Sequence, residues 1–348
     1  MQASAVIVIG NQFASAPVSD FVSGQGGERT RVPTACLEIL GRSVLELTIA
    51  RLRRAGTQAI SVIAGANWAP CWLDRDVEIV FAGRGRDCWV KAAHKLKEDV
   101  AQGVENVVLM ELGAYVECDF ADALQFHRSR RNSLTQFEDR QQPLEFWVVS
   151  AAAIRASASD CMLPFGVDEA LDPAASYPVM GYVNRVSDAR DLRRLVVDAF
   201  LGHCAICPRG REIRPGVWVD DGARPHRSAR ILAPAYLGRF ARLRRSAVIT
   251  RFTNIERNCC VGAGTVVDSA SILPYTTLGK GLDISHAVIH GDEFVDLTCN
   301  LALKIDDPRL IRGTATQPRL VPKPKEQFEP ADGMTKSVEL ERGLQGEV

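Results

Sequence analysis

At 348 residues the chain is predicted to hold two domains of about 150 residues each. Hydrophobic residues make up 46% and charged residues 24%, which excludes a disordered or collagen-like chain. Lys and Arg total 42, and so do Asp and Glu, so overall charge announces no nucleic-acid partner.

In chain order, residues 4–10 (SAVIVIG) form a buried strand ending at Gly10. Residues 43–55 (SVLELTIARLRRA) place Val44, Leu47, Leu52 and Ala55 on one side of a helix that Gly56 stops. Strands follow at 60–64 and 78–81, a helix at 89–96 and a strand at 106–110. Asp119 caps a helix over 119–130, residues 145–150 (EFWVVS) form a strand, and 188–200 form a helix. This alternation over residues 1–205 predicts an α/β domain, a mostly parallel sheet with helices on both faces.

The second half has another period. Ile231, Leu237, Leu243, Ile249, Ile255, Val261, Val267 and Leu273 recur at every sixth position, and Ile213 and Val219 extend the series backward past Pro225. Two residues before them sit small side chains, among them Ala235, Ala241, Ala247, Thr253, Cys259, Thr265 and Ser271. This is the pattern of a hexapeptide β-helix over residues 211–300, whose three sides make a coil of eighteen residues. The register slips after Pro274, and Leu278 and Ile284 continue it. From 308 to 348, Pro308, Pro318, Pro322, Pro324 and Pro330 interrupt a polar stretch that is expected to be an extended, flexible tail.

A Rossmann-like half followed by hexapeptide coils resembles the sugar-1-phosphate nucleotidyltransferases that carry a C-terminal left-handed β-helix. The resemblance runs through residues 33–46 (PTACLEILGRSVLE), 105–135 (ENVVLMELGAYVECDFADALQFHRSRRNSLT), 181–201 (GYVNRVSDARDLRRLVVDAFL) and the phrases VGAGTVV and SILPYTTLG. It implies a reaction in which a sugar phosphate attacks a nucleoside triphosphate, helped by a Gly-rich loop, a Lys and two Asp ligands to Mg²⁺. At the matching positions this chain carries Thr34 for the Lys and Gly113 and Arg185 for the two Asp. The loop after Gly10 is displaced, with Gly10, Gly24, Gly26, Gly27, Arg29 and Arg31 as nucleotide and phosphate candidates. The resemblance with these replacements implies a degenerate, non-catalytic relative, a scaffold or regulator in nucleotide-sugar or surface-polysaccharide metabolism. It needs no cofactor and binds a nucleotide or nucleotide sugar. The alternative is an active enzyme that holds Mg²⁺ with Glu111 and Asp188.

Other constellations compete. Hexapeptide coils also serve acyltransferases that use a His base, so His226, His286 and His290, with Asp283 and Asp292 nearby, define a third reading. Cys204 and Cys207 form a Cys-x-x-Cys after a helix, without the second pair that a zinc site needs; Cys259 and Cys260 lie far along the chain. Arg227, Arg239, Arg245, Arg251 and Arg257 each follow a position of the six-residue series by two, which predicts a stripe of guanidinium groups able to meet an anionic partner. The coil is the expected surface for a partner protein or a second copy. No apolar run reaches the 18 residues of a membrane span, the start MQASAVIVIGNQF lacks a signal peptide's basic region, and the ten cysteines are scattered. The expectation is a cytoplasmic protein.

Overall fold

The computed structural model describes residues 3–9, 33–65, 76–83, 86–156 and 175–313. Strands β1 (Ala3–Ile9), β4 (Ala59–Gly65), β5 (Val77–Ala82) and β6 (Asn106–Glu111) pair in parallel, with β1 between β4 and β6. β1 is fully buried and alternates its side chains. Ala5 and Ile7 enter one core, and Val6 and Val8 enter the other. The first core takes helices α1 (Val44–Arg54), α3 (Phe120–Ser129) and α5 (Ala189–Leu201). The second takes α2 (Arg86–Ala101) and α4 (Ala151–Ala156). Ser43 and Glu46 form a complete capping box at the start of α1, and Asp119 caps α3.

The far side of the sheet departs from parallel order. Strand β8 (Leu134–Asp139) and strand β9 (Gln142–Ser150) form a hairpin, and β9 runs antiparallel to both β8 and β6. The reason is local: Arg140 and Gln141 have φ of 48° and 67°, the left-handed pair of a two-residue hairpin turn. Strand β10 (Ala175–Pro178) completes the order β10-β8-β9-β6-β1-β4-β5. Four short strands were not expected separately: the hairpin of β2 (Glu38–Ile39) and β3 (Arg42–Ser43), and the ladder between β7 (Tyr115–Val116) and β11 (Val183–Asn184).

After α5 the chain winds through three parallel sheets in turn. Val217 pairs with Ala235 and Ala235 with Thr253; Arg224 pairs with Arg242 and Arg242 with Cys260; Arg230 pairs with Val248 and Val248 with Val266. Each step is eighteen residues, as the six-residue period predicts. Ile231, Leu237, Leu243, Ile249, Ile255, Val261 and Val267 fill the interior with Ala235, Ala241, Ala247 and Cys259 beside them.

The slip lies elsewhere than expected. Val267 still stacks eighteen residues above Ile249, but Ile255 pairs with Ile272 and Val266 with Asp283, so one residue is lost in the turn at 268–271, ahead of Pro274. Ala270 and Ile272 therefore point inward in place of the expected Ser271 and Leu273. Leu273 turns outward into the core of the α/β half together with Tyr236, Val288 and Val295, so one continuous apolar core spans both halves.

Antiparallel strands cover one of the coil's three sheets at its start and two at its end. Strand β12 (Arg211–Arg214) lies against Val217–Val219. At the other end Ala287–His290, Glu293–Asp296 and Leu301–Lys304 form a meander. Of the segment expected as a tail, Ile311–Gly313 is a strand paired with Thr276–Leu278, because Ile311 can bury in the coil interior. The rest of that segment, 314–348, lies outside the described residues. Among the described residues no helix is long and apolar enough to cross a membrane.

Candidate functional site

Ligands of open parallel sheets gather beyond the carboxyl ends of the strands. Here β1 and β6 end side by side, and the Leu112 N–H donates to the Val8 carbonyl at 2.9 Å. Beyond β6 the chain passes Gly113 and enters β7, where Tyr115 pairs with Asn184 of β11. This ladder brings the neighbourhoods of Gly113 and Arg185 together. The buried Asn184 is fully employed: its Nδ2 donates to the Asp191 carbonyl at 2.9 Å and its Oδ1 accepts the Val186 N–H at 2.8 Å. Arg185 is exposed, and its two Nη atoms donate to the Pro143 carbonyl at 3.4 and 3.3 Å. Thr34 is buried in a short 3-10 turn that leads into the 38–43 hairpin.

Of the two candidate metal carboxylates, Asp188 is the N-cap of α5: its Oδ1 accepts the N–H groups of Arg190 and Asp191, each at 2.9 Å, which engages one of its two oxygens. The carboxylate of Glu111, half-buried at the end of β6, makes no hydrogen bond or ion pair among the described residues. Burial raises its carboxyl above the ordinary range, and the neighbouring charge of Glu145 adds to this. Glu145 was not expected at the site. The β6–β9 register, one step beyond the Met110–Phe146 pair, sets it opposite Glu111. Its only sequence signal is that it opens the strand predicted at 145–150. Gly10, Gly24, Gly26, Gly27, Arg29 and Arg31 lie outside the described residues. Among the described residues no three His, Cys, Asp or Glu side chains gather in a group able to hold a metal.

A second polar cluster is buried where the 38–43 hairpin meets the coil. Glu256 accepts the N–H of Leu40 at 2.9 Å, the N–H of Gly41 at 3.0 Å and Asn254 Nδ2 at 2.8 Å. Gly41 has φ +84°, and a Cβ there would run into the Tyr236 hydroxyl, so glycine is required twice over. Burial pushes Glu256 up to about 7, against the hydrogen bonds that favour its charge. Arg257 Nε lies 2.8 Å from Glu38 Oε1. Burial outweighs that arginine and raises Glu38 to about 8. Glu38 Oε2 and the Tyr236 hydroxyl are buried with no hydrogen-bond partner among the described residues.

The expected arginine stripe is thereby divided. Arg257 belongs to this junction, Arg251 is paired with Asp268 at 3.0 Å, and Arg239 lies over the Phe240 ring at 5.4 Å. Arg227 and Arg245 stay exposed on consecutive rungs, beside the in-register pair of Arg224 and Arg242. None of these four has an ion pair among the described residues, so they form one open basic corner. The histidines do not converge: His226 is held by Ser228 at 2.9 Å, His290 is half-buried opposite Glu293, and His286 is exposed. Cys204 is buried and Cys207 exposed, both as free thiols, and Cys259 fills an inward position of the coil.

No protein-family model matches the chain, and no curated protein matches it. A solved structure of HddC from Yersinia pseudotuberculosis complexed with GMP-PN aligns with 56% of this chain and 97% of that one, at 13% identity and a TM-score of 0.41.

Proposed function

We propose that this chain is a degenerate, non-catalytic relative of the sugar-1-phosphate nucleotidyltransferases, with a Rossmann-like half and a left-handed β-helix. It acts as a cytoplasmic scaffold or regulator in nucleotide-sugar or surface-polysaccharide metabolism. The observation that carries this reading is Arg185. The β7–β11 ladder supports the alignment of the two metal positions, and at one of them stands a fixed cation. A positive charge there opposes a divalent ion, and Gly113 offers no oxygen ligand from a side chain. The residues at these two positions do not fit a Mg²⁺ site, so no step is derived through one. A nucleotide or nucleotide sugar would meet the ends of β1 and β6 and the loop that bears Arg29 and Arg31. The basic corner of Arg224, Arg227, Arg242 and Arg245 supports an anionic partner at the coil.

The second reading is an active enzyme. The Glu111–Glu145 juxtaposition favours it over the Glu111 and Asp188 pair, because Asp188 spends one carboxylate oxygen on its helix cap. Incubating the full chain with nucleoside triphosphates, sugar 1-phosphates and Mg²⁺ separates the two. The expected result is no pyrophosphate release above the buffer blank, together with a rise in melting temperature on adding a nucleotide or nucleotide sugar. Release that Glu111→Gln abolishes would overturn the leading reading and establish the second.

A further inference from the structure

Arg193 lies on α5 at the contact with the coil, and only 8% of it is exposed. Its Nη1 donates to Ser271 Oγ over a long 3.4 Å, and it has no ion pair among the described residues. A guanidinium carries five N–H donors, so most of its capacity is unused. Asp268, the carboxylate whose field reaches it, is already held by Arg251 at 3.0 and 3.1 Å. Burial pushes Arg193 down to about 10, with Asp268 opposing, so it is still a cation at neutral pH.

Beside this charge is a cavity of about 260 Å³. Val197, Phe252 and Leu297 supply its apolar walls, and His286 and Thr298 supply polar edges. Phe252 is braced by the edge of Phe200, with ring centroids 6.3 Å apart. A concave, mostly apolar space with a few converging polar groups is the pattern of a small-molecule site. Its volume falls just below the roughly 300–1,000 Å³ of pockets that take drug-sized ligands. A buried cation without a counter-ion is unfavourable, and an oxyanion that takes the guanidinium fork in two parallel hydrogen bonds relieves it. None of the lining residues belongs to the strand ends of β1 and β6, so this is a separate place on the molecule.

We propose that the cavity binds a small organic oxyanion, a phosphate monoester or a carboxylate, with its charged group on Arg193 and a body of about one ring against Phe252, Val197 and Leu297. Because the walls come from α5 and from the coil, the ligand would tie the two halves together.

The test uses the full chain with phenyl phosphate, benzoate, inorganic phosphate and, as a neutral control, phenol. Phenyl phosphate or benzoate at millimolar concentration is expected to raise the melting temperature by several degrees while phenol does not, and the stronger of the two identifies the head group. Arg193→Met should weaken that binding at least tenfold. Hydrogen exchange of the wild-type chain should show new protection confined to the segments that line the cavity, residues 189–201, 250–254, 268–271 and 286–298. No response to either oxyanion, an undiminished response in Arg193→Met, or protection mapped elsewhere would overturn the proposal. If Arg193→Met does not fold, Val197→Phe decides with the exchange map, because it fills the cavity and leaves the guanidinium in place; binding that survives it is an overturning result.

Discussion

The open ends of β1 and β6 and the junction between the 38–43 hairpin and the coil are both polar, in opposite ways. At the strand ends the Glu111 carboxylate has no hydrogen bond among the described residues, and Arg185 reaches only one carbonyl. At the junction Glu256 is saturated by three donors and Glu38 is matched with Arg257. A carboxylate surrounded by protein N–H groups has little capacity left for a ligand, whereas one at an open strand end keeps all of it. The carboxylates best held by the protein are therefore structural: they fix how the coil sits on the α/β half. Groups with unused capacity remain at the strand ends and at Arg193.

The sharpest way to break this comparison is Glu256→Ala. It strands the N–H groups of Leu40 and Gly41 and the amide of Asn254, and should cost about 3–5 kcal/mol, read by urea denaturation. A loss below about 1 kcal/mol would show that the junction is held elsewhere. Next comes pH. Glu38 and Glu256 are raised to about 8 and about 7 by burial. Between the ordinary carboxylate range and those values the unfolded chain has released protons that the folded chain keeps. Stability should therefore fall as pH rises from about 5 to 8, by up to ~1.4 kcal/mol per pH unit for each group, and level off above. Glu38→Gln should flatten part of that slope, and an unchanged slope would assign the protons to other groups.

The basic corner predicts a smaller effect confined to binding. Reversing Arg242 and Arg245 to Glu should weaken association with phosphatidylglycerol vesicles by about 1 kcal/mol per arginine, leaving the melting temperature unmoved. Equal binding by the variant would remove the corner as a partner surface. The smallest expected effect is at Asp188. Asp188→Ala should cost about 1 kcal/mol for the lost helix cap, and Asp188→Asn should restore most of it, as a cap allows and a metal ligand does not.

Much of this architecture is legible in the residues. Ser43, Asp119 and Asp188 announce helix starts, and the unbroken aliphatic series announces the coil. The seventeen-residue step is not legible, because Leu273 is as aliphatic as Ile272 and continues the series one position after the chain has left it. Arg257 reads like its neighbours in the stripe, since nothing local reveals that Glu38, far back in the sequence, lies against it. The grip of Glu256 on Leu40 and Gly41 is hidden for the same reason: periodicity reports which side of a strand a residue takes, not what the fold brings to that side. Arg193 reads as one more charge on an amphipathic helix until the coil covers it.

The antiparallel strands at the ends of the coil bear on how copies could associate. A bare parallel rung would offer a template on which another copy could stack in line, the route by which solenoids become fibres. Here β12 turns Arg211, Glu212 and Arg214 outward at one extremity, and the meander ends in a short strand with Lys304 at the other. Head-to-tail pairing is disfavoured on the sheets these strands cover, and any in-line contact between copies is left to the remaining rungs.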